Sequence, residues 1–94
     1  MAEEKLEIHV IVKGYVQGVA FRFYAERAAG KLNLTGWVRN LPNGDVETVA
    51  QGTRPSLETY IDWLQQGPPS ARVMDVITQW REITYSYNSF SITY

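Results

Sequence analysis

No cysteine occurs among the 94 residues. That excludes a disulfide framework, a thiolate nucleophile and a cysteine-based zinc site. Histidine is nearly as scarce, with His9 standing alone; one imidazole is a poor start for a zinc centre, and its place among polar positions of an alternating segment suggests a role on the sheet's solvent side. No apolar stretch approaches the ~20 residues that span a bilayer, and the acidic start Met-Ala-Glu-Glu-Lys-Leu lacks the basic, then apolar, pattern of a secretion signal. A cytoplasmic location and no membrane partner are the expectation. Charge of one sign is also missing: nine Lys plus Arg against ten Asp plus Glu give −1, so no basic surplus draws the chain to nucleic acid. Carboxylates are scattered apart from Glu3-Glu4, so neither a metal nor another cofactor is called for. Any anion site must be local.

What is present suffices for one domain spanning residues 1–94, a length that can bury a core without staples. Leu6, Ile8, Val10 and Val12 alternate with Glu7, His9, Ile11 and Lys13, the period of a strand with one buried face. After Gly14 and Gly18, the residues Phe21, Tyr24, Ala25, Ala28 and Leu32 recur at helical spacing to about Asn33. Thr35–Leu41 and Val46–Gln51 read as strands joined around Pro42-Asn43-Gly44-Asp45, where Asn-Gly signals a tight hairpin. Thr53 is a candidate N-cap and Pro55 lies in the first turn of a second helix. The stripe Leu57, Tyr60, Ile61 and Leu64 follows, and Gly67-Pro68-Pro69 stops it. A strand over Arg72–Arg81 and a short edge strand within Ser89–Tyr94 complete the series. Strand, helix, strand, strand, helix, strand is the split βαβ, ferredoxin-like arrangement of the α+β class. It implies an antiparallel-type sheet of four to five strands with two helices on one face. Trp37, Trp63 and Trp80 are read as packing residues.

Chemistry concentrates in Lys13-Gly14-Tyr15-Val16-Gln17-Gly18-Val19-Ala20-Phe21-Arg22, a glycine-punctuated loop that leaves a strand and opens a helix. Amides at a helix start have no internal partners and lie at the positive end of the helix dipole, and the Arg22 guanidinium matches phosphate oxygens. The loop is not a Walker A, since no Gly-Lys-Ser/Thr follows.

This stretch resembles the acylphosphatase family, whose signature Gly-x-Val-Gln-Gly-Val-x-Phe-Arg is matched from Gly14 to Arg22. A second signature, Gly-Trp-Val-x-Asn, is matched by Gly36-Trp37-Val38-Arg39-Asn40. The runs Asn43-Gly44-Asp45-Val46-Glu47 and Gly67-Pro68-Pro69-Ser70-Ala71-Arg72-Val73 are similar to the family too. The resemblance implies hydrolysis of small-molecule acyl phosphates, with Arg22 and Asn40 catalytic. It further implies that the backbone of Tyr15, Val16, Gln17, Gly18, Val19, Ala20 and Phe21, with Arg22, holds the phosphoryl group or inorganic phosphate. Asn43 stands where the family often has Asp, a substitution suited to a left-handed turn position. Tyr15 is a candidate tuner of substrate preference, with packing over the sheet edge as the alternative.

Two other readings share the topology. An RNA recognition motif would place its aromatic signature on the third strand, whereas Lys13-Gly14-Tyr15 leaves the first and continues Val16-Gln17. A regulatory, anion-binding domain of the acylphosphatase type is the second alternative, and a stand-alone monomeric enzyme is the simpler expectation.

Overall fold

The computed structural model describes residues 4–94; Glu3 of the acidic pair lies outside the described residues. In chain order the elements are β1 (Lys5–Tyr15), α1 (Phe21–Lys31), β2 (Thr35–Asn40), β3 (Val46–Thr53), α2 (Arg54–Gln66), β4 (Arg72–Arg81) and β5 (Phe90–Ile92). The sheet runs β4-β1-β3-β2-β5. β1 pairs antiparallel with β3 and β4, and β2 pairs antiparallel with β3. The added strand β5 runs parallel to β2, with Val38 opposite Ile92, so the sheet is mixed at that edge.

Register explains which face is buried. Ile8 opposes Ala50, Val10 opposes Thr48 and Val12 opposes Val46, and side chains at paired positions share a face. These residues meet Phe21, Ala25 and Ala29 of α1 and Leu57, Tyr60 and Leu64 of α2 in one core. Thr48 is the polar exception. Its hydroxyl donates to the Trp37 carbonyl at 2.8 Å, so its 2.9 Å contact with the Tyr60 hydroxyl must have Tyr60 as donor. Burial pushes the Tyr60 phenol well above its ordinary value, against the opposing effect of the Thr48 bond.

On the face away from the helices the two central strands carry Glu7, His9, Ile11 and Lys13 beside Glu47, Val49 and Gln51. None is an aromatic on which a base could stack. His9 pairs with Glu47 at 2.7 Å, and Arg39 reaches the other Glu47 oxygen at 2.6 Å. Burial works to raise the Glu47 carboxyl; the hydrogen bonds and charges of His9 and Arg39 outweigh it and hold the group below its ordinary value. The buried carboxylate of Glu7 is satisfied by Gln51 and Arg81.

Three local expectations are revised. Helix α1 stops at Lys31, because Asn33 takes φ 57° and the chain closes with Asn33 N–H to Gly30 and Leu34 N–H to Ala29 carbonyls, a Schellman end. Tyr24 leaves the buried stripe and is exposed, edge-to-face with Phe23. The β2–β3 connection is not a two-residue turn: Gly44 N–H bonds the Leu41 carbonyl and Leu41 N–H bonds the Asp45 carbonyl, leaving a three-residue loop with Gly44 at φ 98°. Asn43 is therefore not left-handed. Its side chain accepts from Asp45 N–H and donates to the Asp45 carboxylate, which also receives Lys13.

Candidate active site

The strand-to-helix passage is shaped by two glycines. At Gly14, φ is 130° and a Cβ would lie 2.2 Å from the Arg72 carbonyl oxygen, so only glycine lets β1 and β4 stay together across the irregularity between Lys13 and Gly14. Gly18, at φ 75°, turns the loop over. Ala20 then adopts φ 58° and ψ 28° as N-cap of α1 and supplies no side-chain cap. A non-glycine residue in that region carries strain. The first amides of α1 are thus unclaimed by a capping side chain, at the positive end of the helix.

Arg22 and Asn40, which the resemblance pairs, line the same cleft, about 260 Å³ in volume. Asn40 reaches it because it follows Val38 on the buried face of β2, at the last position before the hairpin. Arg22 is held by the residues that follow β5: its Nη1 donates to the Thr93 carbonyl at 3.2 Å and its guanidinium lies 4.7 Å from the Tyr94 ring centroid. Val16, Gly18, Ala20 and Phe21 supply the loop side of the wall, and Phe23, Ile92 and Tyr94 the rest. Among the described residues, no Asp or Glu side chain lines the cleft. Among the described residues, no group of three or more His, Asp or Glu is placed to hold a metal ion.

The other loop residues are used differently. Val16 is buried in the core. The Gln17 side chain donates at 2.8 Å to both the Leu41 and the Asp45 carbonyl, tying the loop to the hairpin that begins beside Asn40. Val19 packs against the core edge. Tyr15 is 57% exposed, opposite Arg72 on the strand edge and outside the cleft wall. His9 is likewise outside it. Sequence reasoning missed Phe23, Ile92 and Tyr94. For Phe23 a signal existed, since a bulky apolar residue beside Arg22 falls off the helix's apolar stripe; the other two depend on the strand order.

Comparison with known proteins agrees with this geometry. The acylphosphatase family model matches residues 8–92. An acylphosphatase of Bordetella parapertussis is 48% identical over 84% of this chain and 85% of its own length. Among solved structures, an acylphosphatase from Coxiella burnetii superposes with a TM-score of 0.89 at 44% identity, covering 95% of this chain and 93% of that one. One from Bacillus subtilis gives 0.92 at 35% identity, covering 95% and 99%. With the loop, the arginine and the asparagine drawn into one cleft and the family model spanning nearly the whole sequence, the chain belongs to the acylphosphatase family.

Proposed function

We propose that the cleft binds the phosphoryl group of an acyl phosphate through Arg22 and the backbone amides of the loop ending at Phe21, and that Asn40 holds the attacking water. One observation carries this: Arg22 and Asn40 share a cleft that, among the described residues, no Asp or Glu side chain lines. Such a site suits a substrate needing no acid or base from the protein. The leaving carboxylate has a conjugate-acid pKa of about 4, by analogy with Asp and Glu side chains, and departs unprotonated. Phosphoryl transfer spreads charge over the equatorial oxygens, which one guanidinium and a ring of amides stabilise.

The Asn40 side-chain carbonyl accepts a hydrogen bond from water and orients its oxygen in line with the leaving group. The new bond forms from water oxygen to phosphorus. The bond from phosphorus to the acyl oxygen breaks with its electron pair on the carboxylate, and the water proton passes to a phosphoryl oxygen. Asn40 is too weak a base to take that proton. Products are a carboxylate and inorganic phosphate. In this reading the working unit is a cytoplasmic monomer with residues 1–94 forming one domain.

The test is hydrolysis of a generic acyl phosphate by wild type, Arg22→Ala and Asn40→Ala, with and without a chelator. Turnover is expected to be lost in both variants and unaffected by the chelator. Inorganic phosphate binding is expected to vanish in Arg22→Ala and largely survive in Asn40→Ala. Near-normal turnover by Asn40→Ala would refute the water-positioning role.

A further inference from the structure

Helix α1 turns Phe21, Ala25 and Ala29 inward. Phe23 falls off that stripe: it is 48% exposed and outside the buried core, so it adds nothing to the packing of the helix on the sheet. A single half-exposed apolar side chain is ordinary on a protein surface; what sets this one apart is where its ring stands. The ring is held in place nonetheless. Tyr24 meets it edge-to-face with centroids 5.3 Å apart, and the Arg27 guanidinium lies 5.6 Å from its centroid.

Phe23 also lines the cleft that holds Arg22 and Asn40. Asn40 enters from the sheet, on the same face as Val38, while Phe23 hangs from the helix at the exposed side. An in-line displacement with water on the Asn40 side sends the leaving carboxylate to the opposite side of the phosphoryl group, and Phe23 is the half-exposed apolar side chain that α1 contributes to the cleft wall. Arg22 and Asn40 are both committed to the phosphoryl group and the water, which leaves Val16, Phe21, Phe23 and Ile92 as an apolar wall with no Asp or Glu among the described lining residues.

We infer that Phe23 determines acyl specificity, its exposed ring serving as a platform for a flat, apolar acyl portion, so that aryl acyl phosphates are preferred over acetyl phosphate. The inference rests on the cleft being the acyl phosphate site. Ring-on-ring contact with partial burial of both faces is worth about tenfold in kcat/KM, equivalent to ~1.4 kcal/mol. An acetyl group is too small to cover the ring and gains little from it.

The experiment measures kcat and KM for benzoyl phosphate and acetyl phosphate, and the inhibition constant of inorganic phosphate, in wild type, Phe23→Ala and Phe23→Tyr. Phe23→Ala is expected to lower kcat/KM for benzoyl phosphate about tenfold, mainly through KM. Acetyl phosphate should change less than twofold and the phosphate constant should hold; Phe23→Tyr, which keeps the ring, should retain the benzoyl preference. An equal fall for both substrates, or no fall for benzoyl phosphate, would overturn the inference and leave the hydrolase reading standing. Turnover of neither substrate by the wild type would remove both.

Discussion

Gln17→Leu separates the loop from the hairpin with little change in side-chain volume. The substitution deletes two 2.8 Å bonds, to the Leu41 and Asp45 carbonyls. Neither carbonyl is left bare, because Leu41 O still receives Gly44 N–H and Asp45 O still receives Leu41 N–H. The cost is therefore the ordinary one for neutral hydrogen bonds, about 1 kcal/mol each and about 2 kcal/mol together. For a domain of this size that lowers the thermal midpoint by roughly 10 °C. The kinetic effect is expected to exceed what the stability loss alone would bring at 25 °C, since Asn40 directly precedes Leu41. A displacement on the order of 1 Å costs up to ~100-fold in rate, so kcat should fall between about 10-fold and 100-fold. Phosphate binding, which rests on Arg22 and loop amides, should stay within about threefold. The decisive assay is a double-mutant cycle in acyl phosphate hydrolysis: in an Asn40→Ala background, adding Gln17→Leu should cost less than about twofold, because the group it positions is already gone. An undiminished kcat in Gln17→Leu, or an equal loss in both backgrounds, would refute the reasoning.

Gly14→Ala should destabilise by about 3 kcal/mol in urea unfolding, since the new Cβ would meet the Arg72 carbonyl at 2.2 Å. Tyr60→Phe should cost about 1 kcal/mol, read the same way, by leaving the buried Thr48 oxygen without its donor. Glu47 gives a pH signature: its carboxyl is held below 4.5 in the folded state, so the stability it contributes is present above the unfolded value and lost as pH falls through the folded one. Glu47→Gln should accordingly flatten the acid side of the stability profile below about pH 4.5, and an unchanged profile would count against the His9–Glu47–Arg39 arrangement.

The fold was legible where one periodicity dominated. Alternation in β1 and the Thr53 cap of α2 both survive in the structure, where Thr53 Oγ1 accepts from Ser56 N–H at 3.4 Å. What failed were conformations set by backbone closure rather than side-chain pattern: the left-handed Asn33 that ends α1, and the hairpin in which Gly44 alone is left-handed. Arg22 carried a physical argument for an anion from loop and helix start alone. Asn40 did not, because nothing local says that a residue ahead of Leu41-Pro42 shares a cleft with a helix eighteen positions earlier; the strand register supplies that. The Gln17 tether was equally invisible, since its acceptors are backbone carbonyls.

The parallel pairing of β5 with β2 has a kinetic consequence. Arg22 is anchored to Thr93 and stacked near Tyr94, 71 residues or more along the chain, while β1, β3 and the helices share a core without them. That contact spans about as much chain as the β1–β4 pairing, where Glu7 meets Arg81, so the guanidinium is fixed only when the most distant parts of the chain close. During refolding, helical signals should therefore recover ahead of catalytic competence. An intermediate with its core formed but β5 undocked would bear the whole signature loop and still lack a fixed guanidinium.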